Sequence, residues 1–203
     1  MKKLIFTLLL LSSTFIFSQG IVVDTTSLSV PALVQNVLMQ NECSNARNFQ
    51  SSKQLGIGKF TNTNPVFPIS EGIIIRNGYA KHTEGKYTGL NESSQITNSG
   101  DADLQSISNK NGQPTPLKDV AYLQFEFTAV SNQFSFDFLF ASNEYGQYQC
   151  GFSDVFAFIL TDLTTGQKTN LAVIPGTSTP VSVKNIRDNA YNGSCASLNP
   201  NLY

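Results

Sequence analysis

From Leu123 to Phe140 the chain alternates with a period of two, and this alternation restricts the fold more than any other feature. Leu123, Phe125 and Phe127 alternate with Gln124, Glu126 and Thr128. After a turn around Val130-Ser131-Asn132, Phe134, Phe136, Phe138 and Phe140 alternate with Ser135, Asp137 and Leu139. Successive side chains of a strand point to opposite faces, so the pattern predicts two half-buried antiparallel strands, with all four phenylalanines of the second buried on one inner face. A second pair of strands is expected at 155–161 and 171–174, and a last strand at 181–186.

Upstream, the β-branched run 72–76 predicts a buried strand ending at the turn Asn77-Gly78, and 55–58 a short strand or turn. One helix is expected, over 29–40. Ser29 can cap it, Pro31 is tolerated in its first turn, and Leu33, Val34, Val37 and Leu38 share a face. Residues 81–116 read as a long polar loop, a length usually reserved for functional or mobile segments. Strands at this spacing, with turn signals between them, predict a mainly β fold: an antiparallel β-sandwich or jelly roll with one short N-terminal helix, in a single domain over 20–203. The chain stops at Asn201-Leu202-Tyr203 without a closing strand, so the domain is expected to be truncated at this end.

Met1-Lys2-Lys3, an apolar run from Leu4 to Leu11 and a small, polar stretch to Gln19 have the layout of a secretory signal peptide over 1–19. The run is too short to span a membrane, and no second apolar stretch follows, so a secreted chain is expected. Thirteen basic residues balance fourteen acidic ones without the basic stripe of a nucleic-acid binder. In an oxidising compartment, three cysteines suggest one disulfide and one leftover thiol. Cys150 and Cys195 both sit in Gly- and Asn-rich loops and are the favoured pair, leaving Cys43 free or paired elsewhere. Metal binding by the three is the weaker alternative, since no C-x-x-C spacing occurs.

Catalytic signatures are sparse. His82, the single histidine, has no nucleophilic serine motif near it, and a solvated loop histidine is the better reading. Glu126 and Asp137 would share the polar face of the Phe-rich hairpin, but facing carboxylates repel and are more often part of a solvated sheet face. Calcium, which takes six to eight oxygen ligands, is a sharper expectation. Asp101 and Asp103 follow a glycine, Asn143-Glu144 follows the Phe strand, and Asp154 opens the next. If the two strands are neighbours, Glu144 and Asp154 lie at the same sheet end. The bland alternative makes Asp101 and Asp103 Asx-turn residues. Tyr145, Tyr148 and Phe152, beside the amides of Gln147 and Gln149, have the makings of a sugar-binding patch, or else pack back on the core.

Six segments occur in a recognisable order: 33–38 (LVQNVL), 69–75 (ISEGIII), 99–104 (SGDADL), 134–145 (FSFDFLFASNEY), 153–158 (SDVFAF) and 170–177 (NLAVIPGT). Together they resemble the choice-of-anchor L domain of large exported proteins of the Bacteroidota. The resemblance implies secreted or cell-surface placement, often through the type IX route with a separate C-terminal sorting domain. It implies no established activity. The leading expectation is a non-enzymatic structural or interaction module of an adhesin or gliding-associated protein, calcium-stabilised, with a cell-surface glycan or protein as its partner. The alternative is a carbohydrate-active domain, a lectin or a glycoside hydrolase.

Overall fold

The computed structural model describes residues 20–40, 45–52, 54–85, 94–97, 100–130 and 133–203. The expected signal peptide, Cys43 and the turn residues Ser131 and Asn132 lie outside them. Within them the fold is mainly β and antiparallel, as expected, with its strands in three small sheets. The first holds β1 (Ile21–Asp24), β3 (Ile57–Asn62) and β4 (Glu71–Ile75) in the order β1-β3-β4, with Val23 opposite Phe60 and Ile57 opposite Ile75. The second pairs β2 (Ala46–Ser51) with β5 (Leu123–Phe127), and the third β6 (Ile159–Thr161) with β7 (Lys168–Asn170).

The N-terminal helix forms where its pattern places it. Ser29 caps α1 (Val30–Ala32), accepting from the Ala32 backbone, and the helix continues as a wider π-turn over Leu33–Leu38. Leu33, Val34 and Val37 are buried, whereas Leu38 is 41% exposed, contrary to expectation. A π-turn advances less per residue than an α-turn, which rotates the end of the helix off its apolar face. Leu33 and Val37 pack with Ile57 of β3, and Leu28, Ile73 and Leu123 close around them. This one cluster therefore joins the helix to the first two sheets. Gly58 allows β1 to come close to β3, since a Cβ there would stand 2.5 Å from the Asp24 carbonyl oxygen.

The outer edge of β1 is plugged by side chains. Glu84 Oε1 accepts from Val23 N at 2.6 Å, and Lys81 Nζ donates to the Val23 carbonyl at 2.9 Å and to Glu84 at 2.8 Å. Lys81 and the Val23 amide hold the Glu84 carboxyl below its ordinary range. Such plugging denies the edge to other strands.

Several expectations fail in the C-terminal half. Residues 102–110 of the expected loop form a second helix, α2 (Ala102–Lys110), capped by Asp101. β5 pairs with β2 instead of with 134–140, which places Arg47 opposite Glu126, not Asp137. Asn48 and Arg47 hold the Glu126 carboxyl below its ordinary pKa, and Arg47 is bonded to it. Residues 134–140 belong to none of the hydrogen-bonded strands, and Phe134 and Phe138 are 45% and 41% exposed, while Phe136 and Phe140 are half-buried. The Phe rings instead interleave with the segment expected as the next strand: Phe136 stacks on Phe158 at 3.9 Å and Phe138 meets Phe156 at 5.5 Å. Of 155–161 only the end is strand, 171–174 contributes an isolated bridge at Val173, and 181–186 is a buried turn. Ile174, Val181 and Ile186 form a second core that Phe140 and Phe156 cover.

Truncating the side chain that joins helix and sheets should be costly. Ile57→Ala is expected to destabilise the fold by about 2–5 kcal/mol, measured by urea unfolding. The exposed Val66→Ala should change stability by less than about 0.5 kcal/mol.

Candidate functional site

Two loops, 143–152 and 187–199, are fastened to each other. Cys150 and Cys195 form a disulfide with Cα atoms 5.5 Å apart, closing a sequence separation of 45. A cross-link over such a loop stabilises by about 4 kcal/mol on the chain-entropy account. Gln149, 1% exposed, is fully used: its Nε2 donates to the Asp188 carbonyl at 2.6 Å, while its Oε1 accepts from Gly146 N at 3.4 Å. From the other loop, Asn192 Nδ2 donates to the carbonyls of Gly146 and Gln147 at 3.0 and 2.9 Å. The Asp188 carboxylate accepts from Ala190 N and Ser197 Oγ, and a bridge between Arg187 and Leu198 closes the base of the second loop.

On this frame sits a run of tyrosines. Tyr191 stacks almost parallel on Tyr203, 4.6 Å apart with 11° between the planes. Tyr145 meets Tyr203 edge-on at 4.7 Å and Phe140 edge-on at 6.3 Å. Burial, and next the neighbouring Tyr203, push the Tyr145 hydroxyl up to about 12. Tyr145 is thus the rooted end of the run, whereas Tyr191 stands 63% exposed and Tyr203 40%. Of the expected ligand-binding aromatics, Tyr145 belongs here. Tyr148 and Phe152 pair edge-on at 5.9 Å within their own turn. Tyr191 and Tyr203 were not anticipated. The spacing Tyr191-Asn192-Gly193-Ser194-Cys195 could have pointed to the first, but nothing in the sequence pattern marks the second.

The five oxygen-bearing residues expected around calcium are divided among several roles. Asp101 caps α2, accepting from Leu104 N at 2.8 Å. Asp103 pairs with Lys168 Nζ of β7. Helix α2 is further anchored at its end, where Lys184 Nζ donates to the Asn111 carbonyl and Asn185 to its side chain. Asn143 is exposed. Glu144 and Asp154 do meet, as expected from neighbouring segments. The Asp154 carboxyl bears on Glu144, and Ser142 Oγ donates to the Glu144 carboxylate. Burial foremost, and then the Asp154 charge, raise the Glu144 pKa above its ordinary 4.5 despite the Ser142 hydrogen bond. Among the described residues, no three His, Cys, Asp or Glu side chains converge.

A mainly antiparallel β fold whose most constrained feature is a pair of loops locked by a disulfide is the architecture of a small extracellular module. A family profile described as the Choice-of-anchor L domain matches residues 12–203, nearly the whole chain. The chain belongs to that family, and is accordingly a surface-associated module of an exported protein. No curated protein and no solved structure matches it. No helix among the described residues is long and apolar enough to cross a membrane.

The raised Glu144 has a definite sign. A carboxyl whose folded pKa lies above its unfolded one contributes fully below the unfolded value, and its contribution is lost as pH rises through the folded value. Glu144→Gln removes the charge while keeping an acceptor for Ser142. Its melting temperature should match the parent's near pH 4 and rise above it progressively toward pH 7. A constant difference across that range would mean that Glu144 carries no penalty.

Proposed function

We propose that this chain is a non-catalytic adhesive module on the outer cell surface, part of an adhesin or gliding-associated protein, and that it binds a glycan through its tyrosine run. One observation supports this above the others: Tyr191, exposed on a loop that a disulfide and side-chain amide hydrogen bonds fasten, stacks on Tyr203. Tyrosine offers an apolar ring face and a hydroxyl together, which suits a sugar's CH face and its hydroxyl groups. Rigid aromatic anchors also lose little entropy on binding.

A second reading rests on Glu144. A half-buried carboxyl whose pKa burial raises, beside a second carboxyl, has the character of a glycosidase general acid. Calcium offers a different role for the same two residues, since a divalent cation between Glu144 and Asp154, with Asn143 beside them, would relieve their repulsion.

A glycan array run in parallel with a hydrolysis assay distinguishes these readings. The adhesive reading expects glycan binding that falls at least about tenfold in Tyr191→Ala, a loss of roughly 1.4 kcal/mol, with no sugar released. Turnover abolished by Glu144→Gln would instead establish the hydrolase. For calcium, the expected result is a higher melting temperature with calcium than with chelator in the parent, absent in Glu144→Gln. No calcium-dependent shift in the parent rules the cation out.

A further inference from the structure

We propose that Tyr191 and Tyr203 are a cross-linking site, joined ring to ring as dityrosine by a peroxide-driven one-electron oxidant. The two rings lie 4.6 Å apart and 11° from parallel, so ring carbons of one face ring carbons of the other. Both rings are open to a reagent in solution, and the Cys150–Cys195 disulfide is itself a product of an oxidising compartment. Tyr145, the third member of the run, is half-buried and meets Tyr203 edge-on, so it shares neither the access nor the stacking.

The coupling needs no other residue. Each phenol gives up one electron and its hydroxyl proton, leaving a phenoxyl radical whose unpaired electron extends to the ring carbons beside the oxygen. The two radicals pair in one carbon–carbon bond between such carbons. The hydrogens those carbons carried move to the oxygens and restore both phenols. The net loss is two hydrogens, which reduce one peroxide to two waters. Proximity decides the partner, because rings held in contact meet at an effective concentration far above that of separate chains in dilute solution. The closed ring runs from Tyr191 to Tyr203 and contains Cys195. Its carbon–carbon bond withstands the reductant that opens the disulfide, so this loop stays closed on itself after Cys150 is released. The site is independent of the glycan reading, since a chain that binds no sugar still couples.

Treating the dilute exported chain with a haem peroxidase and hydrogen peroxide tests the site. No Lys or Arg separates Tyr191 from Tyr203, so trypsin leaves both in the peptide that begins at Asp188. Under reducing conditions that peptide should be lighter by two hydrogens and show the blue emission of dityrosine, with a yield unchanged on about tenfold dilution of the chain. Tyr191→Phe and Tyr203→Phe should each abolish the product with the Cys150–Cys195 bridge retained. Tyr122→Phe, at a ring as exposed as Tyr203 but outside the run, should leave it unchanged. Two copies of the peptide joined to each other, a yield that falls with dilution, or a product that survives Tyr203→Phe overturns the proposal.

Discussion

The Cys150–Cys195 bridge is the constraint on which the C-terminal half depends. Apart from β6 and β7, with three residues each, and the small core around Ile174, Val181 and Ile186, this half holds itself together with turns, isolated bridges and side-chain hydrogen bonds. Loops of that kind lose little by opening. The bridge removes much of the entropy they would gain, and the hydrogen bonds of Gln149 and Asn192 can then form at low entropic cost. The tyrosine run inherits its rigidity from this frame, because Tyr145 and Tyr191 each lie within five residues of a bridged cysteine.

The N-terminal half is stabilised differently. Its helix, its three-stranded sheet and β5 meet in one apolar cluster, and its exposed edge is closed by an ion pair. Helix α2 is tied to the C-terminal half: Asp101 caps its start, Asp103 reaches Lys168 of β7, and Asn111 at its end binds the 182–185 turn. Polar residues at 101–111 therefore serve as joints between elements.

What the sequence made legible follows from how local each signal is. Helix capping at Ser29, the β-branched run of β4 and the alternation of β5 act over a few residues, and all three elements form where expected. The cysteine pair was readable because secretion and loop composition restrict it strongly. Pairing partners were not readable: alternation says that β5 is a strand but not that β2, more than 70 residues earlier, would supply its ladder. The alternation at 134–140 yields rings that meet Phe156 and Phe158 but neither the expected strand nor full burial, because ring contact does not require a hydrogen-bonded neighbour. Helix α2 was missed since Ser, Asn, Gln and Asp dominate it, and its stability comes from its cap and tertiary joints more than from propensity. At the candidate site, Tyr145 and the Glu144–Asp154 contact could be anticipated from neighbouring positions, whereas the Tyr191–Tyr203 stack depends on a tertiary approach that no local pattern encodes.

The central claim, that one disulfide rigidifies the loops carrying Tyr145 and Tyr191 while an independent apolar core holds the first sheet, is tested most directly by amide hydrogen exchange with and without reductant. On this account, reduction strips protection from the amides of 146–152 and 187–198, and leaves those of β1, β3 and β4 as they were. Tyrosine emission should change in step, since the chain contains no tryptophan to mask it. Unchanged protection in the two loops, or a loss spread evenly through the first sheet, would contradict it.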